Sequence, residues 1–276
     1  MKKMQVINLR GEKEPFSRKK VYEACRRSGA SKKIAEKVAK KIEKKVYPGI
    51  KTKKIGELVK KILSKESKKS SIKFSLKDAM RKLGPSGFDF EKFIADVFAK
   101  NNFKVALNRR LPGSCISSYE IDFTATKNKI QKIGECKYHS SPGSRVDLKI
   151  ALYNHARFLD IKKHKKFKNK NIQSVLVTNT KFTSKVIKYC KCNNIELLGW
   201  RYPKNKGLEK VIEKSNFYPI TILPSFKKSF KKMFAKKRMM LASDILNFKP
   251  AKISQKTNIP IKEVKKLVEE AKILLE

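Results

Sequence analysis

The sequence predicts a multidomain α/β protein. It comprises a small helical unit with a short β element, an α/β core built on a mixed sheet flanked by helices, and a small helical module at the C-terminal end. Three observations carry this. Apolar residues recur at helical spacing within residues 18–63 and again over 90–98. Strand-like alternation and short apolar runs occupy 103–107, 119–125, 130–138, 174–178 and 195–200. After residue 216 the chain returns to short helical segments.

The chain has 276 residues, enough for one large or two to three small domains, and a hydrophobic fraction of 40% fills their cores. Its 69 Lys+Arg against 24 Asp+Glu give a net charge of +45. Such an excess points to a polyanionic partner, nucleic acid first, although lysines spread along the whole chain also serve as solubilising surface. Cys25, Cys115, Cys136, Cys190 and Cys192 form no CxxC pair, so a reduced, cytoplasmic compartment and no structural zinc are expected. The N-terminal residues lack a long apolar run, and no stretch approaches the roughly 18 apolar residues of a membrane span; neither a signal peptide nor a membrane partner is expected.

In chain order, residues 4–9 read as a strand, followed by a turn at Arg10-Gly11-Glu12. Ser17 caps a helix at about 18–28. Gly29-Ala30 breaks the chain, and Ser31 caps a second helix with Ile34, Val38 and Ile42 on one face. Pro48-Gly49 ends it, and Thr52 opens a third helix bearing Ile55, Leu58, Val59 and Leu63. Residues 65–72, KESKKSSI, are polar and basic and read as a linker; 76–83 is a short helix; Gly84-Pro85-Ser86-Gly87 breaks again. The expected divisions are therefore 1–68, 69–83 (linker and short helix), 84–203 and 216–276.

Within 84–203, Phe90, Phe93, Ile94, Val97 and Phe98 define an amphipathic helix, with Ser86 or Asp89 near its start and Glu91 on its first turn. Residues 146–159 form a second helix, read with Leu148, Ala151, Leu152, His155 and Leu159 on its apolar face. SVLVT at 174–178 is nearly all apolar, as in a strand buried on both faces. A helix at 182–190 and a last strand follow. The order α-β-β-β-α-β-α-β suits a mixed sheet.

The chemistry concentrates in the hairpin 119–138, whose strands meet at Lys127-Asn128-Lys129, with Asn as turn former. Strand side chains alternate with period two, so Glu135 and Lys137 share a face and Asp122 joins them from the neighbouring strand. Two carboxylates suit a hard divalent cation, which polarises a phosphoryl oxygen and activates a water. Lys137 would orient that water. Similar Glu-x-Lys triplets occur at 43–45, 66–68 and 263–265, so the pattern alone fits a salt-bridged surface hairpin as well as a metal site. His139 reads equally as a phosphate contact or a solvated strand end, His155 as a satisfied core histidine, Thr183 as a helix cap and Trp200 as core.

Two resemblances sharpen this. Val6, Gly11, Glu14, Phe16, Lys20, Gly29-Ala30-Ser31 and Ile50-x-Thr52-x-x-Ile55 resemble an ATP-cone, a small nucleotide-binding regulatory domain; Asn8 and Gly56 depart from its pattern. This resemblance implies ATP or dATP as a regulatory ligand, with Arg10, Glu14, Lys20 and Thr52 at the nucleotide. FDFEKFIADVF, YEID, GECKYH, VLVTNTKFT and ELLGW, over roughly 86–203, resemble an Mrr-type restriction endonuclease domain of the PD-(D/E)xK superfamily, with Tyr119 where His is common. That implies a restriction-endonuclease-like core cutting double-stranded DNA with Mg²⁺ or Mn²⁺. Asp122 and Glu135 would be metal ligands, Lys137 the catalytic lysine, Glu91 the assisting helix-borne acid and Glu120 an auxiliary acid.

Residues 216–276 loosely resemble a helix-hairpin-helix DNA-binding module, with Asn258-Ile259-Pro260 in place of Gly-x-Gly. A helix-turn-helix over 250–275 and a simple cap on the nuclease core are the other readings. The expectation is a Mg²⁺-dependent endonuclease, a homodimer or larger oligomer, that binds nucleotide as effector and not as fuel, since no GxxxxGK[ST] occurs. The rival readings are a non-catalytic nucleotide-responsive DNA-binding regulator and a structure-specific repair or junction nuclease.

Overall fold

The structure, a computed structural model, describes residues 4–84, 88–237 and 239–276, without the Phe88 side chain. Pro85-Ser86-Gly87, part of the expected break and including the Ser86 expected near the helix start, lie outside the described residues. The chain divides into two units, Met1–Ala79 with Ile220–Glu276, and Met80–Pro219.

In the first unit, β1 (Gln5–Ile7) pairs antiparallel with β2 (Lys13–Pro15). The helix α1 (Arg18–Arg27) starts where Ser17 Oγ accepts the Lys20 N–H at 3.2 Å, and α2 (Lys32–Glu43) where Ser31 Oγ accepts that of Ile34 at 3.2 Å. Both caps satisfy helix-end N–H groups that have no partner within the helix. Val38, Ile42, Val59 and Leu63 close the core against α3 (Thr52–Glu66).

The stretch 65–72 is helical and not a linker. After α3, Ser67 accepts the Ser70 N–H at 3.2 Å and opens α4 (Lys68–Phe74); α5 (Leu76–Arg81) follows. Ser70, Ser71 and Ile72 are buried, and Ser71 Oγ donates to the Lys60 carbonyl at 3.2 Å. The serines that read as linker polarity cap and anchor a helix instead.

The second unit begins with α6 (Phe88–Lys100), whose Phe90, Phe93, Ile94, Val97 and Phe98 are all buried, as the periodicity predicts. Next come β3 (Lys104–Leu111), β4 (Tyr119–Lys127), β5 (Ile130–Lys137), β6 (Arg145–Val146), α7 (Leu148–Lys163), β7 (Asn171–Thr178), β8 (Lys181–Phe182), α8 (Ser184–Cys192), β9 (Glu196–Leu198) and α9 (Leu208–Ser215). The five-stranded sheet runs β3-β4-β5-β7-β9. It is antiparallel through β5 and parallel from β5 to β9, hence mixed. On one face Phe98 of α6 meets Phe123, ring centroids 5.0 Å apart. Gly134 makes this possible: a Cβ there would fall 2.2 Å from the Phe123 ring. On the other face Ala151 and Val186 pack on Leu176 and Leu197.

The α7 face differs from expectation. Ala151, Asn154, Arg157, Asp160 and Ile161 point inward, while Leu152 and Leu159 are exposed. The inward polar residues bind groups that need them. Asp160 accepts hydrogen bonds from the Cys115 and Ile116 N–H groups at 2.9 and 3.1 Å and from the Tyr119 hydroxyl at 3.0 Å, pinning the β3–β4 connection to α7.

The chain returns to the first unit with α10 (Lys231–Lys236), α11 (Pro250–Thr257) and α12 (Ile261–Leu275), the last two joined through left-handed Asn258. α12 packs on α4, the Thr221 hydroxyl donates to the Ala79 carbonyl at 2.8 Å, and Glu270 accepts the Ser225 hydroxyl at 2.7 Å. This module groups with the N-terminal segment in the first unit.

Burial raises the Asp160 carboxyl, but the bonds from Cys115, Ile116 and Tyr119 outweigh it and bring it down to about 2. A depressed acid stabilises the fold above its unfolded pKa of about 3.9, and that contribution is lost as pH falls through the folded value. Asp160→Asn should therefore unfold more easily than wild type at neutral pH. The difference should shrink between about pH 4 and pH 2, as read by urea unfolding across that range; a constant difference would refute the clamp.

Candidate functional site

The β4–β5 ladder runs from Lys127–Ile130 to Phe123–Gly134. One step further, the same register sets Asp122 opposite Glu135, where the strands no longer pair. The Asp122 carboxylate spans this opening by accepting the Cys136 N–H at 2.7 Å. Glu135 receives Arg157 of α7, Nη2 to Oε2 at 2.5 Å. The same guanidinium donates to the Glu120 carbonyl at 3.1 Å and to Asn154 Oδ1 at 3.4 Å. Asn154 is held in turn by the Ser174 hydroxyl at 3.1 Å.

The three predicted acids feel one another. Burial and then the charge of Glu135 push Asp122 up to about 7, against the Cys136 N–H bond; Glu91 adds to the rise and Arg157 opposes it. Burial and then Glu135 also raise Glu91. Burial, followed by the charges of Asp122, Glu91 and Glu135, holds the Cys136 thiol well above its usual value, so it stays neutral. Lys137, two residues beyond Glu135, shares its face; its carbonyl accepts the Thr178 hydroxyl at 2.7 Å. Burial and then the Lys137 charge lower His139, whose backbone is bonded both ways to Asn179.

Asp122, Glu135 and Glu91 are thus brought together, with Lys137 on the same strand face as Glu135. Glu120 does not join them: its side chain is 82% exposed and pairs with Arg110 at 3.0 Å. His155 is satisfied by Tyr189 at 2.6 Å, and Thr183 caps α8. Among the described residues, no three His, Cys, Asp or Glu side chains form a ready metal cage. The donor set still fits a cation that takes one or two carboxylates and keeps several waters. Arg157 and Asn154 were absent from the sequence reading. Their signal was Asn154, Arg157 and Asp160, three polar residues at three-residue spacing along one face of the helix.

In the first unit, Lys20 Nζ lies 3.5 Å from Glu14 Oε1. Ile7 bridges Lys51, which sets Thr52, the first residue of α3, beside β1. Arg10 lies in the hairpin turn, its N–H on Asn8 Oδ1 at 2.8 Å.

An uncharacterized protein of Archaeoglobus fulgidus is 38% identical over 130 residues, covering 47% of this chain and 71% of that relative. The crystal structure of a protein of unknown function, AF1548, aligns at TM-score 0.57 and 30% identity, over 68% of this chain and 97% of that one. The C-terminal domain model of AF1548-like proteins matches residues 218–275. The chain belongs to the AF1548-like family. In this AF1548-like chain, residues 4–81 are an ATP-cone domain by its family model. The match runs through α4 and α5, past the boundary at 68 that the sequence suggested.

Removing Arg157 would leave Glu135 as a largely buried, uncompensated charge beside Asp122. Arg157→Met should cost about 3 kcal/mol. The Arg157→Met/Glu135→Gln double variant should lose clearly less, giving a favourable coupling in a double-mutant cycle. Additive losses in urea unfolding would show that the pair is not coupled.

Proposed function

We propose that the protein is a Mg²⁺-dependent DNA endonuclease whose activity responds to ATP or dATP at its ATP-cone. One observation carries the reading: Asp122 and Glu135 face each other at the open end of the β4–β5 ladder, with Glu91 within electrostatic reach and Lys137 on the same face. The rise of Asp122 and Glu91 beside Glu135 supports it, since one basic side chain, Arg157, does not offset three carboxylates and a divalent cation would. The resemblance of the same segments to Mrr-type nuclease domains agrees.

When bound, Mg²⁺ would supply Lewis acidity and an activated water. Asp122 and Glu135 would hold it, and Glu91 would hold the surrounding water in place. Lys137 would orient the attacking water and offset negative charge developing on the phosphoryl group. Arg157 fixes Glu135 in position. The nucleotide would be an effector: the sequence has no Walker-type phosphate loop. A non-catalytic, nucleotide-responsive DNA-binding regulator is the second reading, favoured by the engagement of Glu135 with Arg157.

Plasmid DNA incubated with the protein should be cut with Mg²⁺ and left intact with EDTA. Asp122→Ala and Lys137→Ala should each lose about 10²-fold or more in rate while retaining DNA binding through the basic surface. Uncut plasmid with every divalent metal, alongside tight binding, would favour the regulator. Titration calorimetry tests the nucleotide arm: ATP should bind wild type, and Lys20→Ala and Thr52→Ala should weaken it by about tenfold, roughly 1.4 kcal/mol. Equal ATP affinity in all three would remove these residues from the site.

A further inference from the structure

A basic feature lies on the sheet away from the acids. A cavity of about 350 Å³ opens over β3, β4 and β5 and under the connection from α7 to β7. Its four charged lining residues are Lys104, Arg109, Lys166 and Lys170. None of the residues lining it is acidic, and none of the four cations pairs with a carboxylate among the described residues. Its floor offers neutral hydrogen-bonding groups. Lys104 stands opposite Thr126, and Thr126 opposite Gln131, so one cross-strand row presents an ammonium, a hydroxyl and an amide side by side. Thr124 adds a second hydroxyl.

The roof is held in place. Phe167 is 2% exposed and packs in a core cluster with Ile161 and Ile172. Lys166 and Lys170 lie over its ring at 5.9 and 5.7 Å from the centroid. The turn is closed by backbone bonds from Phe167 to His164 at 2.8 Å and from Lys170 to Phe167 at 3.0 Å. Phe167 thus anchors the connection that carries two of the cations. Gathering four like charges round a concavity without a counter-charge is unfavourable in the empty protein, and concave walls concentrate the resulting positive field. An anion with several acceptor oxygens relieves it. Phe167 is too deeply buried to stack on a base, so the features favour a phosphate group over a nucleobase.

We propose that this cavity is a phosphate-binding site, filled by DNA backbone whose successive phosphates pair with its four cations. It does not depend on the nuclease reading, because it would hold phosphate whether or not Asp122 and Glu135 support cleavage. A free nucleotide offers the same chemistry, and the test separates the two sources.

The experiment compares wild type with a variant carrying Lys104→Gln, Arg109→Gln, Lys166→Gln and Lys170→Gln. The control carries Lys188→Gln, Lys191→Gln, Lys204→Gln and Lys206→Gln, exposed positions outside the cavity. Binding of a fluorescent duplex is followed by anisotropy from about 50 to 200 mM salt. Each lost phosphate contact lowers the slope of log K against log salt by about 0.9. The cavity variant should lose about 2 to 4 in slope and at least tenfold in affinity at low salt, and the control less than about 1 in slope. Arg109→Gln alone should lose about 1, which guards against misfolding of the quadruple variant. In parallel, calorimetry counts bound ATP. An unchanged count with the lowered slope identifies DNA as the source. One nucleotide fewer in the cavity variant, with the slope unchanged, identifies a free nucleotide. Equal behaviour of the cavity variant and the control in both arms overturns the proposal.

Discussion

The contact between Arg157 and Glu135 is the constraint around which the α/β unit is built. Two carboxylates stand opposite each other where β4 and β5 separate, and a third from α6 lies within reach. Without a cation such a group would repel itself. Arg157 meets it from α7, and doing so requires α7 to present a polar stripe to the sheet. The consequences spread along the helix: Asn154 is bonded to β7 through Ser174, Asp160 seizes the β3–β4 connection, and leucines 152 and 159 are left at the surface. A buried charge binds its neighbours more strictly than apolar packing does, because an unmet charge costs far more than an imperfect fit.

The unit built on the ATP-cone follows a different logic, that of amphipathic helices completed by a distant segment. α4 buries Ser70, Ser71 and Ile72, and α12, nearly two hundred residues later in sequence, packs on it. The α/β unit is inserted between the two parts. The family model for the ATP-cone extends to residue 81, in keeping with α4 and α5 as part of that structure.

Charge ties the functional proposals together. An excess of +45 favours a polyanion anywhere on the surface, but affinity of that kind is nonspecific and falls steeply with salt. Position gives it meaning. The acids at the ladder end suit a metal ion beside a phosphodiester, and the cavity under residues 164–170 sets cations beside neutral donors. Both rest on the same hairpin, so its register sets the acids and the cavity floor alike.

Much of this was legible in the sequence. Local rules are strong where one residue decides: Ser17 and Ser31 start helices, five apolar side chains mark the buried face of α6, and period-two alternation sets Glu135 and Lys137 on one face. The order of strands and helices followed from apolar periodicity. Tertiary structure alone decided which face of α7 turns inward, because Arg157 takes its value from a carboxylate on another strand and Leu152 cannot signal that it will be displaced. It also made a helix of KESKKSSI, where Ser71 donates to the Lys60 carbonyl of α3 and α12 of the C-terminal module packs on α4. Chain-local chemistry determines elements and alternation; pairing of charges and faces far apart in sequence exists only once the chain has closed on itself.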